Sequence, residues 1–105
     1  MIMEKLNRYS KNGYEFSLHH REGDLAIFRG EMSGHNHETW EVVFIQSHNG
    51  KQIKENYIPP KEFPPSNTQW GIRGWTATGE EDAYRIFNER KELNHDTRRA
   101  KNSHR

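Results

Sequence analysis

The chain has 105 residues and no cysteine, which limits it to about one domain and excludes disulfides, thiol nucleophiles and thiolate metal sites. Its 16 basic and 15 acidic residues leave a formal charge of +1, so the chain as a whole is no general polyanion binder. With 30% hydrophobic residues and a mean hydropathy of -1.22, a core must be built from the aromatics, 11% of the chain, each hiding on the order of 150–250 Å² when buried.

No apolar run approaches the roughly 20 residues of a membrane span, and Met1 to Lys11 lacks the apolar stretch of a signal peptide. Together with the absence of cysteine, this predicts a cytoplasmic protein with no membrane partner. After Met1, Ile2 and Met3, residues 1–12 are polar and aperiodic and read as a flexible lead-in. At Tyr14 the pattern changes: Tyr14, Phe16 and Leu18 alternate with Glu15, Ser17 and His19, the period of a half-buried strand. Arg21-Glu22-Gly23-Asp24 supplies a turn, and Leu25 to Arg29 returns as the second strand of a hairpin.

Gly30 to Glu38 is a connecting loop into Thr39–Ser47, the best apolar run. Trp40, Val42 and Phe44 face one way, Val43 and Ile45 the other, so both faces need cover and the strand is expected to be central. Asn49-Gly50 is the favoured pair for a type I′ turn, and Lys51 to Ile58 would return as a polar edge strand. Pro59, Pro60, Pro64 and Pro65 forbid helix and predict an extended surface crossing. Trp70-Gly71-Ile72-Arg73-Gly74-Trp75-Thr76 then predicts a tight turn or short strand that packs both indoles. Thr78-Gly79-Glu80-Glu81 reads as a capping box opening a helix to about Leu93, with Ala83, Ile86 and Phe87 on its inner face, Leu93 near it and Tyr84 at the margin.

The prediction is thus an α+β fold: an antiparallel sheet of three to four strands in β-β-β-β-α order, with one C-terminal helix packed on one face. The single domain spans 13–94, and 95–105 form a disordered basic tail in which Arg98, Arg99, Lys101 and Arg105 are candidates for nucleic-acid contact. One helix covers only one sheet face. The other must be shielded by the proline segment, covered by a partner or left wet.

No motif of established chemistry emerges. Seven histidines include His19, His20, His35, His37 and His48, but His19 and His20, adjacent on a strand, should point to opposite faces, and no helical i, i+4 pair exists. A small metal-dependent hydrolase is the third reading, with no metal or other cofactor assigned. No serine lies in a glycine-flanked strand-to-helix elbow. Gly71 and Gly74 form no phosphate loop, because no Lys-Ser/Thr pair follows and Glu80, Glu81 and Asp82 would repel the anion. The distinctive feature is Trp70, Arg73 and Trp75, the composition of an interface hot spot or a base-stacking platform.

Glu62-Phe63-Pro64-Pro65-Ser66, the Trp70–Thr76 segment and Glu80 to Phe87 resemble small proteins of phages, prophages and conjugative elements. The resemblance implies a non-enzymatic mobile-element accessory protein that binds a macromolecule, such as a host-defence or nucleic-acid-processing protein, and carries over no catalytic residue. The order of sheet and helix also resembles plant-type AP2 and phage integrase arm-binding domains, which implies a DNA- or RNA-binding alternative with Arg21, Arg29 and Trp40 on an open sheet face and the basic tail beside it.

Overall fold

The computed structural model describes residues 3–102. Among the described residues, nine strands and one long helix follow in order: β1 (Arg8–Lys11), β2 (Tyr14–Glu22), β3 (Leu25–Glu31), β4 (Glu38–Phe44), β5 (Gln46–His48), β6 (Lys51–Ile53), β7 (Asn56–Ile58), β8 (Lys61–Phe63), a 3₁₀ turn (Asn67–Gln69), β9 (Gly74–Ala77) and α1 (Glu80–Asn102). The fold is α+β. Its main sheet is antiparallel with five strands in the order β1-β2-β3-β4-β9, and α1 packs across β3, β4 and β9.

The sheet has more strands than the three to four predicted, because two short polar strands join its edges. One is β1, which falls in the stretch read as a flexible lead-in. Asn12 and Gly13, with φ of 53° and 84°, close a tight hairpin that pairs Arg8 with Ser17 and Lys11 with Tyr14. The other is β9, paired with β4 from Trp40↔Ala77 to Val43↔Gly74. The predicted fourth strand is not in this sheet at all. Residues 51–58 fold on themselves as the β6–β7 hairpin, turning at Lys54, whose φ is 54°, while Asn49-Gly50 makes no hairpin between β4 and a return strand.

Strand β3 is central, and β4 lies one place from it, with both buried on two faces as their continuous apolar character requires. On the helix side, Leu25, Ile27, Trp40, Val42 and Ala77 meet Ala83 and Phe87, with Phe44, Tyr84 and Ile86 partly buried around them. On the other side, Phe16, Ala26, Phe28, Val43 and Ile45 meet Leu6, with Tyr9, Tyr14, Leu18 and Trp70 packed alongside. The face left without a helix is therefore filled from the chain itself.

A buried carboxylate fixes that second layer. Glu62, in β8 between the two proline pairs, accepts the Leu6 N–H at 2.8 Å and the Arg21 guanidinium in a two-point pair at 2.7 and 2.8 Å. Backbone bonds between Glu4 and Pro60 and between Glu62 and Glu4 lay the N-terminal stretch against β8, which also pairs with β5. The proline segment is thus extended, as read, and it carries a strand within it.

The helix begins one residue later than the capping-box reading implies. Gly79 offers its carbonyl to Ala83, and Asp82, not Glu81, reaches back to the Thr78 N–H and hydroxyl at 3.0 and 3.3 Å. That bond and Arg85 hold the Asp82 carboxyl below its usual range. Nor does the helix stop near Leu93. Its buried stripe ends at Phe87 and Leu93 is 54% exposed, but residues 94–102 contain neither Gly nor Pro, and helix-tolerant Arg, Ala and Lys carry α1 to Asn102, past the start of the tail expected from 95. Arg98, Arg99 and Lys101 thus fall in α1, while Arg105 lies outside the described residues, as do Met1 and Ile2 of the expected lead-in.

Candidate functional site

Four of the six candidate residues on the sheet and turn are held in contacts of the fold: Trp40, Arg21, Arg29 and, in the turn, Trp70. Trp40 is 3% exposed in the helix-side core. Arg21 spends its guanidinium on Glu62 and on the Gly23 carbonyl, and its pKa is raised first by the bond to Glu62. Arg29 is exposed but pairs with both Glu31 and Glu38, and the Glu38 carboxyl is held low by it in return. Trp40 is buried, Arg21 is paired inward and Arg29, though exposed, is held by two carboxylates, so these three do not form a free basic face.

The histidines differ from the strand expectation. The register of β2 against β3 shifts between Leu18 and His20, a β-bulge that turns both imidazoles toward α1. His19 stands edge-on to Trp40 at 4.8 Å and pairs with Glu80; His20 meets Phe87 at 5.1 Å and pairs with Glu22, which also receives Lys91. They act as seam residues between sheet and helix. Among the described residues, no three His, Asp or Glu side chains come together in a way that could hold a metal ion.

The Trp70–Thr76 segment folds as a turn leading into β9. Gly71 takes a φ of 90° and donates its N–H to the Gly74 carbonyl at 2.7 Å. The Trp70 ring lies over Gly74, where any added Cβ would enter the ring, and Lys11 stacks on the indole 3.3 Å from its centroid. Lys11 in turn bonds Glu41 at 3.0 Å, a carboxylate 4% exposed that also accepts the Tyr9 hydroxyl at 2.5 Å. Burial and the Glu41 charge push the Tyr9 phenol far up, so it stays a neutral donor. Trp70 is therefore sandwiched and ties β1 to β9; it is not an open stacking surface.

Trp75 projects to the helix side. It is half-buried, with Phe44 edge-on at 6.0 Å and the Arg90 guanidinium 4.3 Å over its ring. Between the two tryptophans, Ile72 is 70% exposed, more than Ile53, Tyr57 or Leu93, the other large apolar side chains on the surface of the described residues. Arg73 beside it is exposed and makes no ion pair with a described residue. A groove of about 330 Å³ separates this segment from α1, lined by Trp70, Trp75, Thr76, Ile86, Glu89 and Arg90 among others. Sequence reasoning found Trp70, Arg73 and Trp75 but missed Ile72 and Arg90. The available signal for Arg90 was a cation continuing the Ala83, Ile86, Phe87 stripe at helical spacing.

Fold and site together define an α+β protein with both sheet faces covered and one apolar, cation-rimmed turn left exposed at a sheet edge. No family model matches the chain, and no match to a curated protein or to a solved structure was found. No helix among the described residues is long and apolar enough to cross a membrane.

Proposed function

We propose that the chain is a non-enzymatic accessory protein, of the mobile-element kind its ending resembles, which binds another protein through the Trp70–Thr76 segment and the adjoining face of α1. The observation that carries this reading is Ile72, 70% exposed in the turn and next to Arg73, which makes no ion pair with a described residue. Burying an isoleucine side chain is worth about 1.5–3 kcal/mol, and nothing in the turn's own geometry asks for one at that position. Trp75, three residues on, and the Arg90 that lies over it are of the residue types that carry most binding energy at protein interfaces.

The reading is tested by affinity capture from a lysate of bacterial cells with full-length protein and the Ile72→Asp variant, each with and without nuclease. A protein recovered by the wild type after nuclease treatment and lost with Ile72→Asp supports it. Recovery of nucleic acid alone, unaffected by Ile72→Asp, overturns it and favours the helix carrying Arg98, Arg99 and Lys101 as a nucleic-acid contact.

A further inference from the structure

Resting on that reading, we infer that the groove between β9 and α1 receives a short extended segment of the partner that is acidic and carries one apolar side chain. Cations stand in the groove on α1 and in the turn beside it. Arg85 is neutralised by Asp82 at 2.6 Å and by Glu89 at 3.0 Å. Arg90 and Arg73 have no carboxylate among the described residues; Arg90 lies on the Trp75 ring, and Arg73 stands in the turn between Gly71 and Gly74, which line the groove. A guanidinium stacked on an aromatic keeps its in-plane N–H donors free for a carboxylate, the geometry in which Arg forms two-point pairs.

Apolar surface lies between those charges. Trp75 and Ile86 form the groove wall, and Ile72 is exposed in the turn that leads into β9, so an apolar side chain flanked by acids matches the pattern. The backbone is also available. The Phe44 N–H donates to the Arg73 carbonyl at 2.8 Å, so Arg73, Trp75 and Ala77 direct their peptide groups at β4, and the Thr76 N–H and C=O point away from the sheet. The Gly74 carbonyl is taken by Gly71, which leaves Thr76 as the pairing position for an extended chain. A nucleic acid fits less well. Its bases need open aromatic faces, whereas Trp70 carries Lys11 and covers Gly74, and Trp75 carries Arg90.

The test screens a displayed library of random dodecapeptides against the full chain, then maps the enriched peptides by amide chemical shifts. The inference expects enriched peptides with Asp or Glu on both sides of an aliphatic or aromatic residue and shifts concentrated at Ile72–Thr76 and residues 86–90. It expects binding to weaken about tenfold or more in Arg73→Glu and in Arg90→Gln, each loss corresponding to one charge-assisted contact. Peptides that map to this face without acidic excess, or that survive both substitutions, overturn the inference and leave the face as a binding site. Failure to obtain any peptide at this face, or shifts confined elsewhere, overturns the face itself. A single-stranded 20-mer oligonucleotide that moves the same amides while the peptides do not assigns the groove to nucleic acid.

Discussion

Glu62→Gln removes the charge that joins three parts of the chain while keeping an oxygen for the Leu6 N–H. In the native protein the two-point bond from Arg21 first, then the Leu6 N–H and Lys5, lower the Glu62 carboxyl from 4.5 to about 2 against the opposing effect of burial. That displacement corresponds to about 3 kcal/mol of stability in favour of the ionised, folded state. The carboxylate is 5% exposed and Arg21 20%, so water compensates the stranded guanidinium only in part. With a urea dependence of about 1.5 kcal/mol/M for a chain of this size, the midpoint at pH 7 should fall by roughly 2 M.

The pH dependence has a defined sign. A carboxyl whose pKa is depressed on folding stabilises the protein fully above its unfolded value and loses that contribution as pH falls toward its folded value. Wild-type stability should therefore drop from about pH 5 toward pH 2, and Glu62→Gln should lack that component. A midpoint shift below about 0.5 M at pH 7, or parallel acid profiles for the two proteins, would refute the assignment of Glu62 as the tie between β2, β8 and the N-terminal stretch.

Trp40→Ala should cost about 3–5 kcal/mol, as expected for emptying a fully buried site, whereas Trp75→Ala, which loses a half-buried ring and its Arg90 contact, should cost about 1–2 kcal/mol and leave the protein folded; urea unfolding followed by circular dichroism measures both. Gly74→Ala drives a methyl group into the Trp70 ring and should cost about 1–3 kcal/mol, with a displaced indole N–H resonance as the independent sign that Trp70 has left Thr76. Gly13→Ala, at a φ of 84°, should lower stability by about 1 kcal/mol and reduce hydrogen-exchange protection first in β1.

What was legible in the sequence was what an element states about itself. The alternation in β2 and β4, the two-faced apolar character of β4 and the Ala83, Phe87 stripe of α1 all appear in their own residues, and the two cores follow from them. What was hidden depends on partners. Arg-Tyr-Ser-Lys in β1 and Gly-Trp-Thr-Ala in β9 are too short and polar to show a period, and they become strands because β2 and β4 offer them an edge. Asn-Gly occurs at 12–13 and at 49–50 and makes the hairpin only at the first, where compatible strands flank it. The bulge that turns His19 and His20 to one side has no residue signature. Glu41 and Glu62 read as surface acids until Tyr9, Lys11 and Arg21 are brought to them from distant strands. The candidate site was half legible for the same reason: the Trp-Gly spacing marked the turn, but only folding shows that Trp70 is spent on Gly74 and Lys11 and that Ile72 is the side chain left outside.

The most direct measurement is site-specific photo-crosslinking in living cells, with a photoreactive phenylalanine analogue at position 72 and, as control, at Gln52 on the exposed β6 strand. The account expects position 72 to yield a discrete protein adduct that position 52 does not, and expects that adduct to disappear when Trp75→Ala is added. Equal labelling from both positions, or adducts from position 72 that nuclease removes, would contradict the claim that this turn is a protein-binding surface.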